Sequence, residues 1–417
     1  MWDLVFDDES GEAVLPGDAQ QPLHDQTIDE EGPGTILKDF ATLLAFVGED
    51  GLRTTGKYYL LPQSRLNELN ERMSRPVAHG LKRPQQRSFP HLHGLHMLLR
   101  SSGVGIGVGA APNGRLMIDE EVLAAWLDLN PVERYFALLE SWLVQATPEI
   151  IGERGGWGSE SFQSVMRVAQ KLRQRRTVQS GERHGGPLYG IMESVTVALM
   201  ELFGWLRLEY GQPEEGQGVR LAAIERLPFG DAMVALLTAS HFSGQWAPSC
   251  DEPAEPGALK AVFEPYFPEW QRTLAQPEAE YRDGTYTWRA SLGRAWRRIV
   301  APAAATLDEL AMTILNAFEF DDDHLYCFKV RGRDGRTRQI VCPYQDDGPA
   351  FSDEVTLGEL SLPEGGTMKF IFDYGDWWEF AVKLEEVGPP NARRTRPKVT
   401  AKGGRAPAQY ATEDEEW

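Results

Sequence analysis

Acidic side chains gathered beside an imidazole are the first candidates for chemistry in this chain. Asp321, Asp322, Asp323 and His324 are consecutive, and Asp373, Asp376, Trp377 and Glu379 lie further along. Hard divalent cations take carboxylate oxygens, so two such loops folded together would offer a cation or a polar ligand a rim. The plainer reading makes these Asp residues turn formers carrying solvated charge. No ligand spacing is defined, so the set is expected to be a ligand or partner rim, with no metal and no cofactor assigned.

Three further groups invite chemistry and give little. His91-x-His93-x-x-His96 looks metal-like, but positions i and i+5 of a helix point apart, so packed or surface roles are expected. Cys250, Cys327 and Cys342 are too few and too scattered for a disulfide scaffold or a zinc knuckle, and the last two fall in apolar runs suited to a small core residue. Arg294, Arg297 and Arg298, beside Trp288 and Trp296, could stack or bind an anion, but pairing with the Asp cluster is the favoured expectation, because Arg prefers bidentate carboxylates. No Walker loop, G-x-S-x-G elbow or His-Glu-x-x-His occurs, and the glycines of Gly103 to Gly109 are wrongly spaced for a dinucleotide loop. No catalytic residue is assigned.

Basic residues raise nucleic acid as a partner. Lys82, Arg83 and Arg87 flank one predicted helix, and Lys171, Arg173, Arg175, Arg176 and Arg183 cluster about another. On winged helices such residues hold phosphates while a helix enters the major groove. The net charge of -20 sets a field against that partner. A protein partner is the favoured expectation, and nucleic acid the disfavoured one.

The elements that would position these groups follow from periodicity. At 417 residues, with 42% hydrophobic and 10% aromatic content, the chain predicts two or three globular domains. Residues 1–35 form an acidic segment. A winged-helix-like unit is expected over 36–147: a stripe at Ile36, Phe40, Leu43, Leu44 and Val47, helices at 64–73 and 89–100, strands at 104–108 and 115–118 joined through Pro112-Asn113-Gly114, and helices at 120–127 and 131–144. A second such unit is expected over 148–240, with helices at 161–175 and 188–203, strands at 205–210 and 218–221, and a helix at 229–237. Residues 241–279 read as a Pro-rich linker carrying one short helix with Phe263, Tyr266, Phe267 and Trp270 as anchors. The N-terminus lacks a basic n-region and an apolar h-region, and no run approaches the ~20 apolar residues that span a bilayer, so the cytoplasm is the expected location and no membrane the expectation.

Residues 280–410 predict an α+β domain, followed by an acidic tail at 411–417. Strands are expected at 285–292, 296–300, 325–330 and 338–342, the last two around Asp334-Gly335, with capping boxes at Thr306/Glu309 and Thr356/Glu359. The first box should open a helix burying Leu307, Leu310, Ala311, Ile314, Leu315 and Phe318. A hairpin over 367–372 and 377–385 sends Trp378, Phe380, Val382 and Leu384 to one face, and Trp377, Glu379, Ala381 and Lys383 to the other. The fold class is α+β: a mainly helical N-terminal half with two winged-helix-like units, then a domain with a mostly antiparallel sheet.

The stretches TWRASLGRAWRRIVAP, DDDHLYCF, GTMKFIFDYGDWWEFAVKLE and GGRAPAQY, in that order, resemble the plasmid pRi ORF-three-like family, also called insertion-element passenger TnpR-like. GKYYLLP and RPQQRSFPHLHGLHMLLRSSG are similar to what precedes that domain in its long members. The resemblance implies an α+β fold and a link to mobile elements, and no established reaction. Short members carry a His after the Trp-Glu pair, then a Cys and a Pro-Pro-Glu-Asp-Cys-Gly-Gly stretch. Those residues could ligate metal; here the positions read Phe380, Val399 and APAQYAT from Ala406, so if the family holds such a site, the resemblance implies its loss in this chain. Despite the TnpR-like label, no serine-recombinase site is present. The expected function is non-enzymatic binding or regulation. The alternatives are a DNA-binding accessory factor using the winged-helix-like units, and a metal-dependent enzyme on nucleic acid or nucleotides using Asp321 to Asp323, Asp373 and Asp376.

Overall fold

The computed structural model describes residues 5–6, 13–14, 17–54, 56, 58–109, 114–147, 160–173, 175–179, 195–246, 255–276, 280–332, 337–346, 348–391 and 393–410. The turns expected at Pro112-Asn113 and Asp334-Gly335, together with Cys250, Arg183 and the acidic tail, lie outside the described residues. The chain divides into two compact units, 1–277 and 278–417.

In the first unit a short pair, β1 (Val5–Phe6) and β2 (Ala13–Val14), precedes α1 (Gly17–His24) and α2 (Ile36–Val47). Ile36, Phe40, Leu43 and Val47 of α2 are buried as their spacing dictates, while Leu44 is half-buried. Then come β3 (Leu52–Arg53), α3 (Leu66–Arg72), α4 (Pro90–Ser101), β4 (Gly105–Val108), β5 (Arg115–Ile118), α5 (Glu120–Asp128) and α6 (Pro131–Leu143). The order recurs with α7 (Glu160–Leu172), β6 (Thr177–Gln179), α8 (Val195–Leu202), β7 (Leu206–Tyr210), β8 (Leu221–Arg226) and α9 (Pro228–Phe242). Both three-stranded sheets place the first strand beside the third: β3-β5-β4 and β6-β8-β7. Strands as short as β3 and β6 carry no readable alternation, which is why the periodicity misses them. The strand expected at 218–221 lies instead at Leu221–Arg226, because Gly211, Pro213, Gly216 and Gly218 hold the preceding stretch in a loop.

The helix expected to enter a DNA groove is inside the protein. Every residue of α4 from His91 to Ser101 is buried, and α4 packs against α8. Gly94 permits the approach, since a Cβ there would stand 2.8 Å from Leu199 Cδ2.

The expected linker is also largely packed. Leu259, Val262, Phe263, Phe267, Trp270 and Leu274 are buried in the same core as the helices. The short helix, α10 (Lys260–Phe263), is present. Trp270 stacks on Phe136 of α6 with centroids 4.3 Å apart. Glu140 of α6 accepts the N–H groups of Gly257 at 2.8 Å and Leu259 at 2.9 Å, and Glu133 accepts that of Arg272 at 2.8 Å. Proline and glycine here mark an irregular strap, and the aromatic anchors decide that it docks.

The second unit is one antiparallel sheet with one helix across a face. Its strands are β9 (Thr285–Leu292), β10 (Ala295–Pro302), β11 (Tyr326–Arg331), β12 (Thr337–Val341), β13 (Thr367–Phe372), β14 (Trp378–Gly388) and β15 (Lys398–Gly403), in the order β12-β11-β13-β14-β9-β10-β15. The helix, α11 (Leu307–Phe318), starts at the Thr306/Glu309 capping box and buries its expected stripe. Arg297, expected to meet the Asp cluster, instead lies under this helix. Its Nε donates to Ala317 O at 2.6 Å and its guanidinium lies 4.5 Å from the Phe318 ring centroid, a cation at the helix C-terminus where the macrodipole favours it. The second capping box forms but opens only the 3-10 turn Leu357–Glu359. Edge strand β15 escapes the sequence reading, because KVTAKG alternates only Val399 and Ala401, both half-buried, against polar residues, a signal too short to mark it. The fold is α+β.

Candidate binding face of the C-terminal unit

The rim expected from sequence takes shape where the loop after α11 meets the β13–β14 turn. Asp373 adopts a left-handed conformation (φ 58°), accepts the Gly375 N–H at 2.8 Å and shapes the turn that leaves Trp377 at φ 56°. His324 sits 2.8 Å from Asp323 Oδ1 and 3.6 Å from Asp373 Oδ2, so it joins the two loops. Tyr410 donates to Asp323 at 3.0 Å, and Gln409 brackets the Asp321 backbone. The Asp323 hydrogen bond, and then the charges of Asp323, Asp373 and Asp376, hold the His324 pKa above its ordinary value. The same bond, then Tyr410, holds Asp323 below the usual carboxylate range. Asp322 and Asp376 are exposed. Among the described residues no group of three or more His, Cys, Asp or Glu side chains is placed to hold a metal ion. What the geometry makes of these residues is a clasp of one imidazole between two carboxylates.

The same turn borders a surface that the sequence did not single out. Alternation buries Phe380, Val382 and Leu384 under α11 and turns Glu379, Ala381 and Lys383 outward. Strand register then gathers the outward residues of separate strands. Lys383 lies opposite Arg289, and Arg289 opposite Arg298, so three cations cross β14, β9 and β10 in one row. One step along, Lys329 lies opposite Lys369 across β11 and β13, and Trp296 opposite Ser291. Arg298 pairs with Glu385 at 2.6 Å and Lys369 with Glu379 at 3.0 Å. Among the described residues Arg289, Lys329 and Lys383 have no ion-pair partner. Aromatic rings stand at either end: Trp296 lies 4.5 Å from the Arg289 guanidinium, and Trp377, 51% exposed, lies 5.9 Å from Lys329 Nζ. Tyr374 is exposed beside Trp377, with centroids 6.3 Å apart. A small buried cluster of Cys327, Val341 and Ile371 with Phe351 closes one corner of this face, and burial pushes the Cys327 thiol up.

The other sequence candidates are dispersed. Lys82 pairs with Glu215 at 3.2 Å and Arg176 with Glu225 at 3.7 Å, both at the surface. Arg83, Arg87, Arg173 and Arg175 are exposed, and the α4 helix that Arg83 and Arg87 were expected to assist is buried. The α4 histidines diverge: His93 meets Gln86 at 3.0 Å, His96 meets Tyr59 O at 3.0 Å, and His91 packs against Phe89 with no hydrogen-bond partner for either ring nitrogen. Arg289, Trp296, Lys329, Lys369 and Lys383 as a single surface went unseen. Alternation within each strand could mark them as outward, but only strand order makes them neighbours.

Residues 290–411 match the model of the family described as Plasmid pRiA4b ORF-3-like protein. An uncharacterized protein, y4hQ, of Sinorhizobium fredii is 29% identical over 96 residues, which is 22% of this chain and 47% of that relative, so the match spans about half of the relative's length. A crystal structure of a protein of unknown function from Methanosarcina mazei Go1, MM3350, is 26% identical, covering 29% of this chain and 70% of that one, with a TM-score of 0.26.

Proposed function

We propose that this chain is a binding protein without a catalytic site, whose working surface is the open face of the C-terminal sheet and whose partner is anionic. The observation that carries this reading is the row Lys383–Arg289–Arg298 beside the pair Lys329–Lys369. Like charges directly opposite each other on a sheet are destabilising, by roughly 0.2–1 kcal/mol per pair. In a chain of net charge -20, carboxylates enough to neutralise such a row exist, yet three of the five cations keep none.

The alternatives draw less support. In the first unit the helix expected to read a groove, α4, is enclosed, which weakens that reading there. A metal-dependent reaction at the Asp cluster lacks a placed ligand set among the described residues. The two units of the N-terminal half, with their repeated strand order, suit a winged-helix-like scaffold used for docking. A role in the control of mobile elements is in keeping with the plasmid origin in the matched family's name. No described helix is long and apolar enough to cross a membrane.

Lysine-reactivity footprinting of the full chain, in extract of its own cells and after purification, tests the reading. Lys329, Lys369 and Lys383 should be protected in extract while Lys82 and Lys171 stay reactive. Equal reactivity of the three in both states would overturn it.

A further inference from the structure

Resting on that reading, we infer that the partner of the open face is single-stranded nucleic acid, its phosphates on the cationic row and its bases stacked on Trp377 and Trp296. Strands lie about 4.8 Å apart, so the track from β11 to β10 is about 19 Å long, running across the strands. It is cationic along its length and aromatic at both ends. Those are the two elements of sequence-tolerant single-strand recognition: a basic path for the backbone, and ring faces on which unstacked bases lie. A duplex hides the faces of its bases, so it would leave Trp377 and Tyr374 unused. The first unit's expected groove helix, α4, is buried. Trp377 is held for this task by its turn: the left-handed backbone at Asp373 and Trp377 lifts the ring out of the sheet to 51% exposure. An acidic protein segment would satisfy the cations but has no use for both platforms.

Fluorescence anisotropy of a labelled oligothymidylate titrated with the full chain tests this, between about 50 and about 200 mM salt. The expected result is binding that weakens with salt. Lys329→Gln with Lys383→Gln should weaken it at least tenfold and make the log–log salt slope shallower by about 1.4, at about 0.7 for each lost phosphate contact. Trp377→Ala should weaken it by about fivefold or more with the slope unchanged, because stacking releases no counterions. Lys383 and Trp377 are exposed and Lys329 is half-buried, and near-ultraviolet circular dichroism of each variant confirms an intact sheet. Absence of binding at the low salt, or binding indifferent to the lysine pair, would overturn the inference. Equal binding of polyglutamate, with no response to Trp377→Ala, would assign the face to an acidic protein instead. Footprint protection in extract that survives single-strand nuclease, without oligonucleotide binding, would remove the nucleic acid and leave the open-face reading standing.

Discussion

His91 illustrates how a side chain's chemistry is set by where its ring ends up. Burial without a hydrogen bond pushes its pKa down to about 3, so the folded N-terminal unit keeps it neutral while the unfolded chain takes up a proton near pH 6.5. The unfolded state therefore binds more protons between those values, and stability falls as pH drops from about 6.5 toward 3. His91→Leu removes the proton without removing a hydrogen bond. Urea unfolding of the full chain, followed between about pH 7 and about pH 5, should show the acid-side slope of the N-terminal transition reduced by about 1.4 kcal/mol per pH unit below pH 6. An unchanged slope would place the ring in contact with water. Of the candidate residues, the rim was legible because Asp, His and Gly cluster in short stretches of sequence. The cationic face was not, because its members come from β9, β10, β11, β13 and β14, which only the strand order sets side by side.

At the scale of elements, local signals and tertiary packing divide the outcome. α11 followed from sequence because its cap and its stripe agree, and both are local. The strap at 255–276 did not, because proline-rich composition describes the chain's irregularity and says nothing of what it packs on. Its attachment depends on Glu140, whose carboxylate takes two backbone N–H groups and is pushed up to about 7 by burial. Glu140→Ala leaves those N–H groups in the interior unsatisfied and should cost about 3 kcal/mol. Chemical denaturation measures it, and a loss below about 1 kcal/mol would mean that the aromatic anchors hold the strap alone. The two three-stranded sheets lie between these cases: the hairpins are visible, while β3 and β6 are recruited by a partner strand and have no pattern of their own.

At the scale of the molecule, each unit carries its own core. The buried cluster of the second unit is built wholly from residues beyond Glu278, and its sheet and helix close on each other. Residues 278–410 expressed alone should therefore unfold cooperatively, with a near-ultraviolet dichroism signal from the buried Trp288. A broad, non-cooperative melt would show that the unit needs the first one to fold.

Composition and periodicity alone determined that this chain is α+β, that a helix-rich half precedes a sheet-rich domain, and which residues of β14 face inward, because those properties depend on neighbours within a few positions. Tertiary structure alone decided that α4 is enclosed, that the proline-rich strap belongs to the first core, and that five cations from separate strands form one face with Trp296 and the turn residue Trp377. Those properties depend on strand order and on helix–helix packing, and residues far apart in the chain settle them.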